Sequence, residues 1–224
     1  MITNPKDEPQ LVEGGPGRLA YRVRAGSDPH VPPILLIHGF GGDENVLWVV
    51  QSALPDGGFM AAPRGPYPAG IGGFAWRAED VGPTGSISDL GTGVDALAGW
   101  VKVLTDDFGV DEKAAVLVGF SQGSALAFSA VALGAVHPFA LVALAAYLPE
   151  GDLVRLRGIP VFWGHGTLDD KVPAQRARED VARLEAAGAA VTYCEAEVGH
   201  KVGVECMRGL KRWLRDLTGE DRSR

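Results

Sequence analysis

Short apolar runs and amphipathic stretches take turns along this chain. Ile34-Leu-Leu-Ile37, Gly58-Phe-Met-Ala-Ala-Pro63, Ala114-Ala-Val-Leu-Val-Gly119, the run from Pro138 to Leu148 and Gly158-Ile-Pro-Val-Phe-Trp-Gly-His165 show no polar alternation. That pattern predicts strands buried on both faces, as in a parallel sheet. Leu19-Ala-Tyr-Arg-Val-Arg24 alternates apolar with polar and suits an early edge strand, and Ala190 to Ala196 predicts another strand. Leu90, Val94, Leu97, Val101, Leu104 and Phe108 fall at helical intervals behind Asp89, an N-cap candidate. Ser124 to Ala132 is helical in composition, and Ala174 to Ala187 and Val204 to Leu217 read as amphipathic helices. Strands separated by helices imply right-handed crossovers and a mainly parallel, doubly wound α/β sheet flanked by helices. Ligands then bind at the carboxyl ends of the strands.

This pattern predicts one domain over residues 19–217, with a polar N-terminal segment 1–18 and a polar C-terminal tail 218–224. Between the strands ending near Tyr147 and starting near Gly158 there are only about ten residues, too few for an inserted helical lid. The expected site is open, roofed by the loop from Pro63 to Thr84 with Tyr67, Phe74 and Trp76.

Composition narrows the function. With 224 residues, 46% of them apolar, a single domain can bury a sizeable core. A net charge of −7 argues against nucleic acid as partner, because polyanion binding needs a concentrated basic face. No run reaches the roughly 18 apolar residues of a transmembrane helix, and Met1 to Gln10 has no apolar core of a secretory signal. Cys194 and Cys206 lack metal-binding spacing and are expected as a reduced pair in the cytoplasm. Neither a phosphate-cradling loop ending in Lys-Ser/Thr nor a G-x-G-x-x-G turn occurs, so no cofactor and no metal is expected.

The chemistry concentrates at Gly119-Phe-Ser121-Gln-Gly123, where a strand runs directly into a helix. G-x-S-x-G at such a junction is the nucleophile elbow of the α/β-hydrolase fold: a strained turn lifts the serine hydroxyl clear of the sheet. A serine needs a base and a group to orient that base, and in this fold the acid and the histidine follow the serine. Asp169 or Asp170, in the loop after Gly158–His165, is placed for the acid, and His200 is the one histidine downstream of both. His38 and His165 each end a strand before a glycine and are expected to fix loop backbone; His30 reads as solvated and His137 as structural. For the oxyanion, the backbone N–H of Gln122 and that of Phe40, within His38-Gly-Phe-Gly-Gly42, are the expected donors. A cysteine or an aspartate at the elbow would signal a dienelactone-type hydrolase or a haloalkane dehalogenase; this chain has serine.

These segments resemble the phospholipase/carboxylesterase family of small α/β-hydrolases, which includes carboxylesterases, lysophospholipases and acyl-protein thioesterases. The resemblance rests on His38-Gly-Phe-Gly-Gly-Asp-Glu44, Gly119-Phe-Ser-Gln-Gly123, His165-Gly-Thr-Leu-Asp-Asp-Lys-Val-Pro173 and Gly199-His200-Lys-Val, with Ala61-Ala-Pro-Arg-Gly-Pro66 and Phe74-Ala-Trp76 in support. It covers roughly residues 19–217 and implies Ser121, Asp169 and His200 as the triad, since the family's acid stands four residues after the His-Gly histidine. It also implies an acyl ester substrate, lipid-like or small, with thioesters and lysophospholipids as variants. Trp76, Phe40 and Leu168 are the expected substrate contacts, and a homodimer is compatible with the family. The family's tryptophan is usually followed by a hydrophobic-Asp pair, and Arg77-Ala-Glu-Asp80 departs from that. The alternative from another class is a catalytically inactive α/β-hydrolase-fold binding module or receptor for a small apolar ligand.

Overall fold

A computed structural model describes residues 8–15, 17–78 and 85–219. The strands are β1 (Gln10–Val12), β2 (Tyr21–Arg24), β3 (Ile34–Ile37), β4 (Met60–Pro63), β5 (Tyr67–Pro68), β6 (Phe74–Ala75), β7 (Val116–Phe120), β8 (Ala140–Leu144), β9 (Pro160–Gly166) and β10 (Ala190–Ala196). Four helices join them: α1 (Gly91–Phe108), α2 (Gln122–Ala132), α3 (Ala174–Ala186) and α4 (Val204–Thr218). Eight strands form one sheet in the order β1-β2-β4-β3-β7-β8-β9-β10, and β5 and β6 make a separate hairpin. From β4 to β10 every pairing is parallel, and β1 and β2 are antiparallel additions at one edge.

The continuous apolar strands owe their composition to two cores. In β3, Leu35 and Ile37 point into one cluster, while Ile34 and Leu36 point into the other, and all four are buried. The first cluster takes in α1, α2 and α3; the second takes in the 3₁₀ turns of Val46–Ala53 and helix α4. Both faces of the parallel sheet are therefore covered, which is why no polar alternation survives in β3, β4, β7, β8 and β9. This is the α/β-hydrolase arrangement that the sequence predicts. Between β8 and β9 there is a single 3₁₀ turn, Val154–Leu156, and no lid.

Three details differ from the sequence reading. The segment Tyr21–Arg24 is not the edge of the sheet, because β1, within the polar N-terminal stretch, pairs with it antiparallel. Three residues between Pro9 and Glu13 are too few to display a period of two. Asp89 does not cap α1: its Oδ2 accepts the N–H groups of Gly85 and Ser86 at 2.8 Å each, closing the short 3₁₀ turn Ile87–Leu90 before the helix.

The third is a correction. Cys194 and Cys206 are joined in a disulfide rather than reduced, with Cα atoms 5.6 Å apart. Twelve residues separate them in sequence, but the chain turns back from β10 into α4 and brings the two side chains together. The cysteines therefore give no argument for a reducing compartment. Closing a loop of 12 residues is worth about 3 kcal/mol of chain entropy in the unfolded state. The double variant Cys194→Ser/Cys206→Ser is expected to lower Tm by roughly 5–10 °C, read by calorimetry without reductant. An unchanged Tm would mean that the bridge adds no stability. Among the described residues no helix is long and apolar enough to cross a membrane.

Candidate active site

β7 ends at Phe120 and α2 begins at Gln122, leaving Ser121 as the whole turn between them. Its backbone sits at φ 50°, ψ −115°, a region that costs a non-glycine residue about 1–3 kcal/mol. Three hydrogen bonds hold it there: the Ser121 N–H donates to the Leu144 carbonyl at 2.9 Å, and the Ser121 carbonyl accepts from the N–H of Ser124 at 3.0 Å and of Ala125 at 3.2 Å. The flanking glycines are steric requirements. A Cβ on Gly123 would lie 2.1 Å from the Ile37 carbonyl oxygen, and one on Gly119 would lie 2.5 Å from the Ser124 nitrogen.

The acid loop leaves the carboxyl end of β9 and meets the segment between β10 and α4. His200 Nδ1 lies 2.7 Å from Asp169 Oδ2, while Asp169 Oδ1 accepts the N–H groups of Lys171 and Val172 at 2.9 Å each. Burial alone would raise the Asp169 pKa. The Val172 N–H, His200 and the Lys171 N–H outweigh it and hold the carboxyl below its usual range. An ionised carboxylate only accepts, so the Nδ1 of His200 carries the hydrogen and Nε2 is left with a free lone pair. The Phe120 ring meets the imidazole edge-on, with centroids 5.1 Å apart, which places His200 beside the residue that precedes the serine. Asp170 points away: it is 75% exposed and lies 3.5 Å from the Lys171 ammonium. His165 Nε2 donates to the Val172 carbonyl at 2.9 Å, so this histidine braces the acid loop. The disulfide between Cys194 and Cys206 ties together the two ends of the segment that carries His200.

The glycine-rich turn after β3 is fastened from several sides. His38 Nδ1–H donates to the Gly39 carbonyl at 2.7 Å, and its Nε2 accepts the Gly65 N–H at 2.8 Å. Those partners fix the neutral imidazole, and burial pushes its pKa down in the same direction. Gly41 N–H donates to the Phe74 carbonyl and Phe74 N–H to the Gly42 carbonyl, at 2.9 and 2.8 Å. Arg64 grips Glu44 with two bonds of 2.7 Å, and those bonds hold the Glu44 carboxyl below its usual range. Phe40 stands within this braced turn, and among the described residues neither its N–H nor that of Gln122 donates to a protein acceptor.

Residues 94–218 match the profile of the phospholipase/carboxylesterase family, more than half of the chain. The chain belongs to the phospholipase/carboxylesterase family. Solved structures agree on the fold. The Bacillus cereus carboxylesterase superposes with a TM-score of 0.78 at 23% identity, covering 88% of this chain and 93% of that one. A carboxylesterase from Mesorhizobium loti gives 0.77 at 21% identity, over 92% and 98%. YahD, solved with malic acid, gives 0.78 at 22% identity, over 88% and 98%. By family and fold this is a carboxylesterase-like hydrolase.

In this member of the phospholipase/carboxylesterase family two cavities meet at Ser121. The larger, about 1040 Å³, runs between the Val46–Ala53 turns and α4; Phe40, Val50, Leu144, Val202 and Met207 give it an aliphatic and aromatic wall, and His200 opens onto it. The smaller, about 570 Å³, is lined by Arg77, Ala78, Gln122, Tyr147 and Val172. Phe40, Ser121 and Lys171 border both.

Of the expected substrate contacts, Phe40 alone lines these cavities. Trp76 is fully buried and lines neither. Its Nε1 donates to the His38 carbonyl at 2.8 Å and its backbone N–H to Gln122 Oε1 at 3.0 Å, so it supports the two loops from beneath. Leu168 is exposed but also lines neither cavity, because its backbone is turned toward Val198 by an N–H bond of 3.0 Å. The sequence reading missed the Glu44–Arg64 clamp and the place of Arg77. The charge pair joins positions twenty apart, and no local pattern announces it.

Proposed function

We propose that the protein hydrolyses carboxylic esters, and by the same chemistry thioesters and lysophospholipids, through an acyl-enzyme on Ser121. His200 Nε2 takes the Ser121 proton as the hydroxyl oxygen attacks the acyl carbon. The Phe40 and Gln122 N–H groups receive the developing oxyanion, and Asp169 keeps the imidazole in the reactive tautomer and stabilises its protonated form. The protonated His200 passes its proton to the departing alcohol or thiol. A water molecule then enters, gives its proton to His200, attacks the acyl-enzyme and releases the acid with Ser121 restored. The observation that carries this reading is the 2.7 Å pair between Asp169 and His200, on a cavity shared with a serine held at positive φ. The apolar wall of the larger cavity supports an acyl chain there.

Every step uses a side chain or backbone N–H of this chain. The purified protein is therefore expected to hydrolyse p-nitrophenyl butyrate at full rate in excess chelator, followed by release of p-nitrophenolate. Activity abolished by chelator and rescued by a divalent ion would contradict the mechanism, and a folded protein without ester turnover would favour the inactive binding module.

A further inference from the structure

The smaller cavity is lined by an arginine with an unsatisfied donor. The Arg77 guanidinium Nη1 is buried with no hydrogen-bond partner among the described residues. A buried donor on a charged group left unpaired is costly, so such an atom marks a place where an acceptor belongs. Asp89, whose carboxylate feels the Arg77 charge, spends its Oδ2 on the Gly85 and Ser86 N–H groups and makes no hydrogen bond to Arg77. Lys171 borders the same cavity beside Ser121. Among the described residues the charged groups lining the two cavities are Arg77, Lys171, Lys201, Arg208 and Lys211, with no carboxylate among them, in a chain whose net charge is −7. Walls of low dielectric concentrate such a field where the substrate sits.

The two cavities differ in what they can hold. The larger is apolar and suits the acyl chain, so the smaller, across Ser121, receives the other half of the ester. We propose that the smaller cavity is a leaving-group site for anions, in which Arg77, with Lys171 at the mouth, selects esters whose alcohol portion carries a carboxylate or a phosphate. This inference rests on the reading of Ser121 as nucleophile and adds a substrate class to it.

The test uses esters with one acyl group and different charge: the butyrates of ethylene glycol, glycolate, glycol phosphate and choline, followed by acid release in a pH-stat. Each kcat/KM is divided by the rate of hydroxide hydrolysis of the same ester, which removes intrinsic reactivity. The anionic esters are expected to exceed the neutral one by about tenfold, through KM, with butyrylcholine below it; a charge-assisted bond to an otherwise unpaired donor supports about 10- to 100-fold. Whether carboxylate or phosphate leads identifies the natural anion. Arg77→Met should cut the anionic-to-neutral ratio by at least about tenfold, and Arg77→Lys, which keeps the charge without the planar fork, should restore part of it. Wild-type ratios near one, or a ratio untouched by Arg77→Met, would overturn the proposal. Binding of intact O-butyrylglycolate to Ser121→Ala protein, with and without Arg77→Met, makes the same comparison without turnover. Weaker binding by about tenfold in the double variant supports the anion site even if the catalytic reading fails, and equal binding refutes it.

Discussion

Ser121→Ala is expected to lower kcat/KM for p-nitrophenyl butyrate by at least about 10⁴-fold, with an unchanged far-UV spectrum and a Tm equal to or above that of the parent. The loss is large because in the proposed mechanism the serine, histidine and aspartate act as one unit: removing the nucleophile of such a triad costs about 10⁶ in kcat in a serine protease, and what remains is the contribution of oxyanion donors and binding. The gain in stability has a separate origin. Ser121 occupies a strained region at φ 50°, ψ −115° for the sake of its hydroxyl. Alanine suffers the same backbone strain but loses the cost of holding a polar group in a partly buried, mostly apolar site. A Tm well below the parent would show instead that the hydroxyl makes a structural bond.

The second large effect separates two neighbouring aspartates. Asp169→Asn is expected to lower kcat by at least roughly 10²-fold, and Asp170→Asn by less than about fivefold, at saturating ester. Asp169 Oδ2 faces the His200 Nδ1 at 2.7 Å, and its Oδ1 holds the loop through two N–H groups. An amide at this position can present its NH₂ toward Nδ1, which favours the tautomer with the hydrogen on Nε2 and removes the base. Asp170 lies outside, exposed and paired with the Lys171 ammonium, a surface contact worth about 0–1 kcal/mol. The folded-state pKa of Asp169 is lowered. Its contribution to stability is therefore fully present above the ordinary carboxylate value of about 4 and is lost as pH falls through the lowered value. Asp169→Asn should flatten the acid limb of a Tm-against-pH curve. The reverse order of kcat losses would transfer the acid role to Asp170.

Much of this arrangement was legible because local sequence and long-range structure obey the same constraint. Buried parallel strands must be apolar on both faces, so Ile34–Ile37 and Ala140–Leu144 announce themselves as runs. The elbow is legible for a steric reason: a Cβ at residue 119 or 123 would collide with neighbouring backbone, so only glycine fits there. Asp169 and His200 could be placed because an open parallel sheet delivers loop residues to one end. The rest depended on contacts that no local pattern encodes. Trp76 reads as a roof over the substrate because it lies in a loop of aromatics. In three dimensions its indole N–H is claimed by the His38 carbonyl and the ring is buried. Leu168, expected as a substrate contact, is exposed outside both cavities, with its N–H bonded to the Val198 carbonyl. The Cys194–Cys206 bridge spans a loop whose ends meet only after the chain has turned from β10 into α4. Arg77 looks like one surface charge among many until its Nη1 is found buried without a partner beside Gln122 and Ser121.

In the proposed mechanism Ser121 is the activated nucleophile. A fluorophosphonate probe reports this directly, because phosphonylation needs both a base beside the hydroxyl and donors for the oxyanion. Peptide mapping by mass spectrometry after labelling should find one adduct, on Ser121, and none in Ser121→Ala or when the protein is unfolded before exposure. Undiminished labelling of Ser121→Ala, or an adduct on Ser124 or Ser129, would contradict the account.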